Sequence, residues 1–245
     1  MDKWDTAYAS GEGLRWWPET ELARFIGRVY GSTHGLAVGL GNSDPIGKAL
    51  DLGCGTGRNS WLLRESGFAV EMMDASQEAL GVALDYLLCE RQCVGIGHSV
   101  AALPDGLTRF KDNSFDLVVD CQTIQHLGRT DHFYVYDRIA RILKPDGRLW
   151  TMHWAAGDAD LLYEHRYPEL HEWKLNVLAD MMMMSGLVCK GVEAVERHVW
   201  PSFPDTTSAV DAMWYCMDWV KPCRKYRSQW MNGRKESRLQ IRHGE

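Results

Sequence analysis

The chain has 245 residues, 45% of them hydrophobic, and carries 27 basic against 33 acidic side chains for a net charge of −6. That length and apolar content suit one domain with a modest elaboration around a single core. No apolar run reaches the roughly 18 residues a spanning helix needs, so no membrane segment is expected.

The opening MDKWDTAYAS lacks the apolar core of a signal peptide. The seven cysteines (54, 89, 93, 121, 189, 216 and 223) are odd in number and scattered without CxxC spacing. Reduced thiols in a cytoplasmic protein are therefore expected, rather than a disulfide framework or a metal site. Charge is unevenly placed. Beyond Pro222 there are seven Lys and Arg against two Glu, a tail of +5 on a body of −11. A general nucleic-acid binder carries a broad basic face instead. The tail, 222–245, reads as a solvated or folded-back segment, with phosphate contact as the alternative.

Residues 3–18, with Trp4, Tyr8, Arg15, Trp16 and Trp17, read as a turn-rich approach. A helix is predicted over 19–31, where Leu22, Phe25, Ile26 and Val29 share a face. A first strand is expected over 48–53, a helix over 57–66, a second strand over 68–74 and a helix over 76–91. A short third strand (94–99) and a fourth (115–120) follow. The helix 131–143 stops at Lys144-Pro145-Asp146-Gly147. Strand five covers 148–154, and 155–173 reads as an insertion. A helix over 174–186, with core methionines at 181–184, leads to strand six (187–199) and strand seven (212–222). The apolar run at 115–120 suits a parallel strand buried on both faces.

The most informative stretch is ALDLGCGTG at 49–57. Apolar residues run into Asp51, and glycines at 53, 55 and 57 then precede a helix-like segment. Alternate glycines allow unusual dihedrals and close approach of a ligand. The spacing is not the dinucleotide GxGxxG, and no Lys-Ser or Lys-Thr pair marks a triphosphate loop. Downstream, AVEMMD ends a second strand on Asp74, and an acid there binds ribose hydroxyls in open α/β sheets.

These residues, with FDLVVDCQTIQHL at 115–127, RILKPDGRLW at 141–150 and AMWYCMDWVKP at 212–222, resemble the class I S-adenosylmethionine (SAM)-dependent methyltransferases. The lid and core are similar to those of the small-molecule type, such as the ubiquinone-biosynthesis and thiopurine methyltransferases. The resemblance covers roughly residues 1–221, taken as a single domain with an N-terminal lid (1–46) and a cap insertion (155–173). It implies an α/β fold: a Rossmann-like seven-stranded sheet, order 3-2-1-4-5-7-6, strand seven antiparallel, helices on both faces.

What the resemblance implies for residues is as follows. SAM is the cofactor, leaving as S-adenosylhomocysteine (SAH). The turn Gly53, Cys54, Gly55 and Gly57 meets its methionine end, while Asp51 either orients that turn through its amides or simply braces the loop. Asp74 accepts from both ribose hydroxyls, with Met73 and Ala75 flanking the adenine. Relatives often carry an acid at the end of strand three; here Ser99 and Val100 stand in that place. Asp120, Cys121 and Gln122 approach the transferred methyl. Trp4, Tyr8 and Arg15 belong to the lid over the cofactor, Arg15 either facing the methionine carboxylate or standing as a bare surface arginine. Trp16, Trp154 and Tyr163 line the substrate mouth or serve as core, and Trp17 and Trp173 share that choice. Methyl transfer is an in-line displacement that needs alignment and dehydration. A base is needed only if the acceptor must lose a proton. His153 is the preferred candidate, ahead of His126 and of His165. The leading expectation is a small-molecule acceptor at oxygen or nitrogen. The alternatives are a nucleic-acid modifier using the basic tail and a non-methylating SAM binder.

Overall fold

A computed structural model describes residues 3–11, 14–31, 44–154, 175–199, 210–223 and 241–243. The expected insertion at 155–173, with Tyr163, His165 and Trp173, lies outside them, as does most of the basic tail. Eight strands form one sheet in the order β3-β2-β1-β4-β5-β7-β6-β8. The expected seven-strand order is therefore present, and a three-residue strand, β8 (Ile241–His243), pairs parallel with β6 beyond it.

The chain divides into two compact units, 1–106 with 114–119, and 107–113 with 120–245. In the first, β1 (Gly47–Leu52) pairs parallel with β2 (Phe68–Asp74), and β2 with β3 (Gly97–Val100). Ala49, Leu50, Leu52, Met72 and Met73 are buried, as strands covered on both faces require. Helix α1 (Lys3–Ala9) precedes α2 (Thr20–Tyr30), whose Leu22, Phe25 and Ile26 form the buried stripe expected of its periodicity. Helix α3 (Arg58–Glu65) follows β1. Helix α4 (Gln77–Asp85) starts at Ser76, whose Oγ accepts from the Ala79 amide at 3.1 Å, a standard N-cap. It runs into a π-helical turn, Tyr86–Glu90.

Helix α1 departs from the turn-rich reading of residues 3–18. Seven residues are too few to display a helical period. The segment is held by tertiary contacts instead: Asp5 Oδ1 accepts from Ser76 Oγ at 2.6 Å. The turn residues mark only its end, where Gly11 takes φ +83°.

In the second unit, α5 (Arg129–Ile142) and α6 (Leu175–Met184) pack together, and β5 (Leu143–Trp154), β6 (Val188–Val199) and β7 (Val210–Val220) pair antiparallel around β7. Tyr136, Ile139, Trp150, Met152, Leu178, Met182, Met217 and Trp219 fill its core. The methionine run splits: Met182 is buried, but Met183 and Met184 are exposed, because four consecutive residues cannot share one helix face. Strand β4 (Phe115–Cys121) ends where this unit resumes at Asp120.

Candidate active site

The glycine turn has the shape its sequence demands. Gly53, Gly55 and Gly57 take φ +66°, +53° and +76°, the left-handed region that side chains resist. The Gly53 and Cys54 amides donate to the Met73 carbonyl at 2.7 and 3.1 Å, lacing the turn to the end of β2. Asp51 is buried and accepts the Ser60 hydroxyl at 2.6 Å. It thus ties β1 to α3, as a brace of the loop does.

Burial raises the Asp51 carboxyl pKa from 3.8 to about 6, against the lowering effect of Ser60 and Arg58. A folded pKa raised for an acid means the native state holds its proton more tightly than the unfolded chain. The stability this confers is complete at acid pH and is lost as pH climbs from about 4 to about 7, on the order of 3 kcal/mol. Asp51→Asn removes the titration. Denaturant unfolding at pH 4.5 and 7.5 should show a shallower fall in stability for the variant than for the wild type; parallel falls would refute this.

Asp74 closes β2 with its carboxylate in a fixed orientation. Oδ2 accepts from the Gly55 amide at 2.9 Å and Oδ1 from the Ser76 amide at 2.9 Å. Each carboxylate oxygen has a second lone-pair site, so the backbone bonds aim the group without exhausting it. Beside it in the sheet, Asp74 is in register with Val100 and Met73 with Ser99. Val100 is 45% exposed and Ala75 partly so, which gives apolar surface next to the carboxylate. The Ser99 Oγ is buried without a hydrogen-bond partner. An orphaned hydroxyl, an aimed carboxylate and a left-handed glycine turn fit a nucleoside bearing an amino-acid tail.

The N-terminal segment docks onto this turn. A Cβ on Gly55 would lie 2.6 Å from the Tyr8 hydroxyl oxygen, so only glycine lets the ring approach so closely. Burial, then the charge of Asp74, pushes the Tyr8 phenol well above its usual value. Trp4 is half-buried on the same helix. Residues 15–17 are held by their main chain. The Arg15 carbonyl accepts from Thr56 Oγ1, that of Trp16 from the Tyr86 hydroxyl at 3.0 Å, and that of Trp17 from Arg58 Nη1 at 2.8 Å. The Arg15 side chain is exposed, Trp16 leans on Tyr86 with centroids 5.2 Å apart, and Trp17 is 76% exposed.

In the second unit the segment after β4 forms a compact loop. Asp120 is fully buried, and its Oδ1 accepts from the Thr123 and Ile124 amides at 3.0 and 3.1 Å. Gln122 adopts φ +65°, uncommon for a residue with a long side chain. Its amide donates to Met152, and Gln125 Oε1 accepts from the Trp154 amide at 3.0 Å. Cys121 is partly exposed, and His126 closes a 3₁₀ turn, also partly exposed. Trp154 stacks edge-on against Trp214 at 5.2 Å, as a core side chain does. His153 was expected to open beneath an acceptor; its ring is fully buried instead, Nε2 lying 3.2 Å from Asp120 Oδ2 and 3.0 Å from the Tyr136 hydroxyl. Sequence reasoning passed over Tyr136 and Gln125. Their signal was weak, since each sits in an otherwise ordinary amphipathic stretch.

Residues 50–151 match the family model described as the methyltransferase domain. Over this stretch the chain is similar to known methyltransferase domains. Among curated proteins it is 29% identical to glycine N-methyltransferase of Mus musculus over 163 residues, 60% of this chain and 53% of that protein. It is 34% identical to phosphoethanolamine N-methyltransferase 2 of Caenorhabditis elegans over 117 residues, 46% of this chain and 25% of that one. The chain thus spans between a quarter and about half the length of these relatives. Among solved structures, it shares the fold of Haemonchus contortus phosphoethanolamine N-methyltransferase 2 in complex with S-adenosyl-L-methionine. The TM-score there is 0.59 at 16% identity, covering 91% of this chain and 61% of that one.

Proposed function

We propose that this protein transfers the methyl group of SAM to a small-molecule acceptor at nitrogen or oxygen. The observation that carries this reading is Asp74. A carboxylate oriented by the Gly55 and Ser76 amides, at the end of β2, suits the paired hydroxyls of a ribose. Ser99 would take the adenine amine, with Val100 and Ala75 against the ring. The left-handed glycines would admit the methionine end, and Tyr8 and the 15–17 segment would cover it. When bound, SAM supplies an activated methyl on a good leaving group, so this chain's residues have to align and dry the reacting pair rather than activate it. The acidic body outside the tail favours a small acceptor over a polyanion, and both relatives named above are small-amine methyltransferases by name. No helix among the described residues is long and apolar enough to cross a membrane.

The test is SAH release from methyl-labelled SAM, with glycine, phosphoethanolamine and a catechol as acceptors. Label on one of these, in step with SAH, supports the reading. Label only on added RNA or DNA, abolished by nuclease, would overturn the small-molecule part of it. The lid gives a second expectation. Tyr8→Phe should raise the SAH dissociation constant about fivefold in calorimetry, the worth of one hydrogen bond of roughly 1 kcal/mol; an unchanged constant removes Tyr8 from the cofactor's surroundings.

A further inference from the structure

We propose that Tyr136, His153 and Asp120 form a positioning relay that fixes the backbone of residues 121–127 at the end of β4. The proposal rests on the methyl-transfer reading. Three titratable side chains, each fully buried, meet in the second unit. Burying such groups is costly, and apolar side chains of similar volume commonly serve a core at least as well as buried charged groups do. An arrangement of this kind in a core otherwise built from Leu, Met and Trp therefore calls for a purpose beyond filling space.

The geometry supplies one. Asp120 divides its two oxygens: Oδ1 takes the Thr123 and Ile124 amides, and Oδ2 faces His153 Nε2 at 3.2 Å. That contact is a close electrostatic approach rather than a hydrogen bond, since Oδ2 has no hydrogen-bond partner. The Tyr136 hydroxyl meets the same nitrogen from α5 at 3.0 Å and limits its swing. The other ring nitrogen, Nδ1, is buried with no hydrogen-bond partner. A ring so enclosed has no outlet for a substrate proton; it holds Asp120, and Asp120 holds the loop.

The loop needs holding. Gln122 holds a left-handed backbone, and such outliers persist only where their surroundings impose them. Gln122 to Met152, Gln125 to Trp154 and His132 Nε2 to the Leu127 carbonyl are the other tethers. All three lean on β5 or α5, the elements that also supply His153 and Tyr136. His153 is thus a positioning residue rather than a base.

Amide hydrogen exchange and SAH calorimetry on the full chain test this. In His153→Leu the Thr123 and Ile124 amides should exchange about tenfold faster, the worth of a bond to a charged group, while β7 amides at Cys216 and Met217 keep their rates. The SAH dissociation constant should rise about fivefold with them. His153→Gln, which keeps a side-chain donor, should restore both to within about threefold of wild type. Should His153→Leu not fold, the near-isosteric Tyr136→Phe serves, with the same amides about threefold faster. Unchanged exchange at 123 and 124, or a rise that spreads equally to β7, would overturn the relay. So would faster exchange with unaltered SAH binding. If wild-type protein binds no SAH, the methyltransferase reading fails, and the exchange rates alone still decide whether His153 holds the loop.

Discussion

Asp74→Asn should weaken SAH binding about 100-fold. Two hydrogen bonds from ribose hydroxyls to a carboxylate are each worth roughly 1.5–3 kcal/mol, and an amide keeps one acceptor while turning a donor where the second should be. The loss goes beyond the ligand. Asp74 also receives the Gly55 and Ser76 amides, so the variant frees one end of the glycine turn from β2. Calorimetry with SAH gives the affinity, and circular dichroism on the same sample separates a misplaced turn from an unfolded chain. A folded variant that binds SAH within a few-fold of wild type would remove Asp74 from the cofactor site and take the central support of the proposed function with it.

Gly57→Ala is expected to cause the larger loss of stability. Gly57 sits at φ +76° immediately before α3, and a Cβ there would lie 3.1 Å from Ala83 Cβ and 3.2 Å from Leu87 Cδ1. A left-handed alanine costs roughly 1–2 kcal/mol, and crowding a packed core costs about as much again. The sum, about 2–4 kcal/mol, lowers Tm by roughly 5–15 °C for a chain of this size. Gly81→Ala is the control: it lies on the same α4, and nothing comes within 4 Å of its added Cβ. Helix propensity alone should make that variant equal to wild type or slightly more stable. Equal melting points for the two variants would mean that the turn tolerates a side chain and that its glycines serve no packing purpose.

How much of this was legible in the sequence follows from where the information lies. The glycine turn and Asp74 announce themselves because their geometry is local, glycine at each left-handed position and an acid at a strand end. Most strand and helix bounds fell within three residues for the same reason, but β5 begins at Leu143, where a turn over 144–147 and a strand from 148 were expected. Helix α1 did not, since Asp5 and Tyr8 hold it through Ser76 and the Gly55 approach, partners some fifty to seventy residues away. The burial of His153 was equally invisible. A strand-end histidine looks alike in sequence whether it faces solvent or, as here, Tyr136 from α5 and Asp120 from β4. Gln122 gave no warning either, because its left-handed backbone is imposed by the bonds around it rather than by its own preference.

The core grips residues 15–17 by their carbonyls, through Thr56, Tyr86 and Arg58, with the Trp16 ring on Tyr86 as a side-chain contact. A peptide carbonyl is the same whatever side chain follows it, so this anchorage is blind to composition. Arg15 and Trp17 can accordingly change identity without unseating the strap, and Trp16 at the cost of its Tyr86 contact. A saturation library at these three positions should yield mostly folded proteins that differ in what they admit, making the strap the natural place to retarget the enzyme while its scaffold stays untouched.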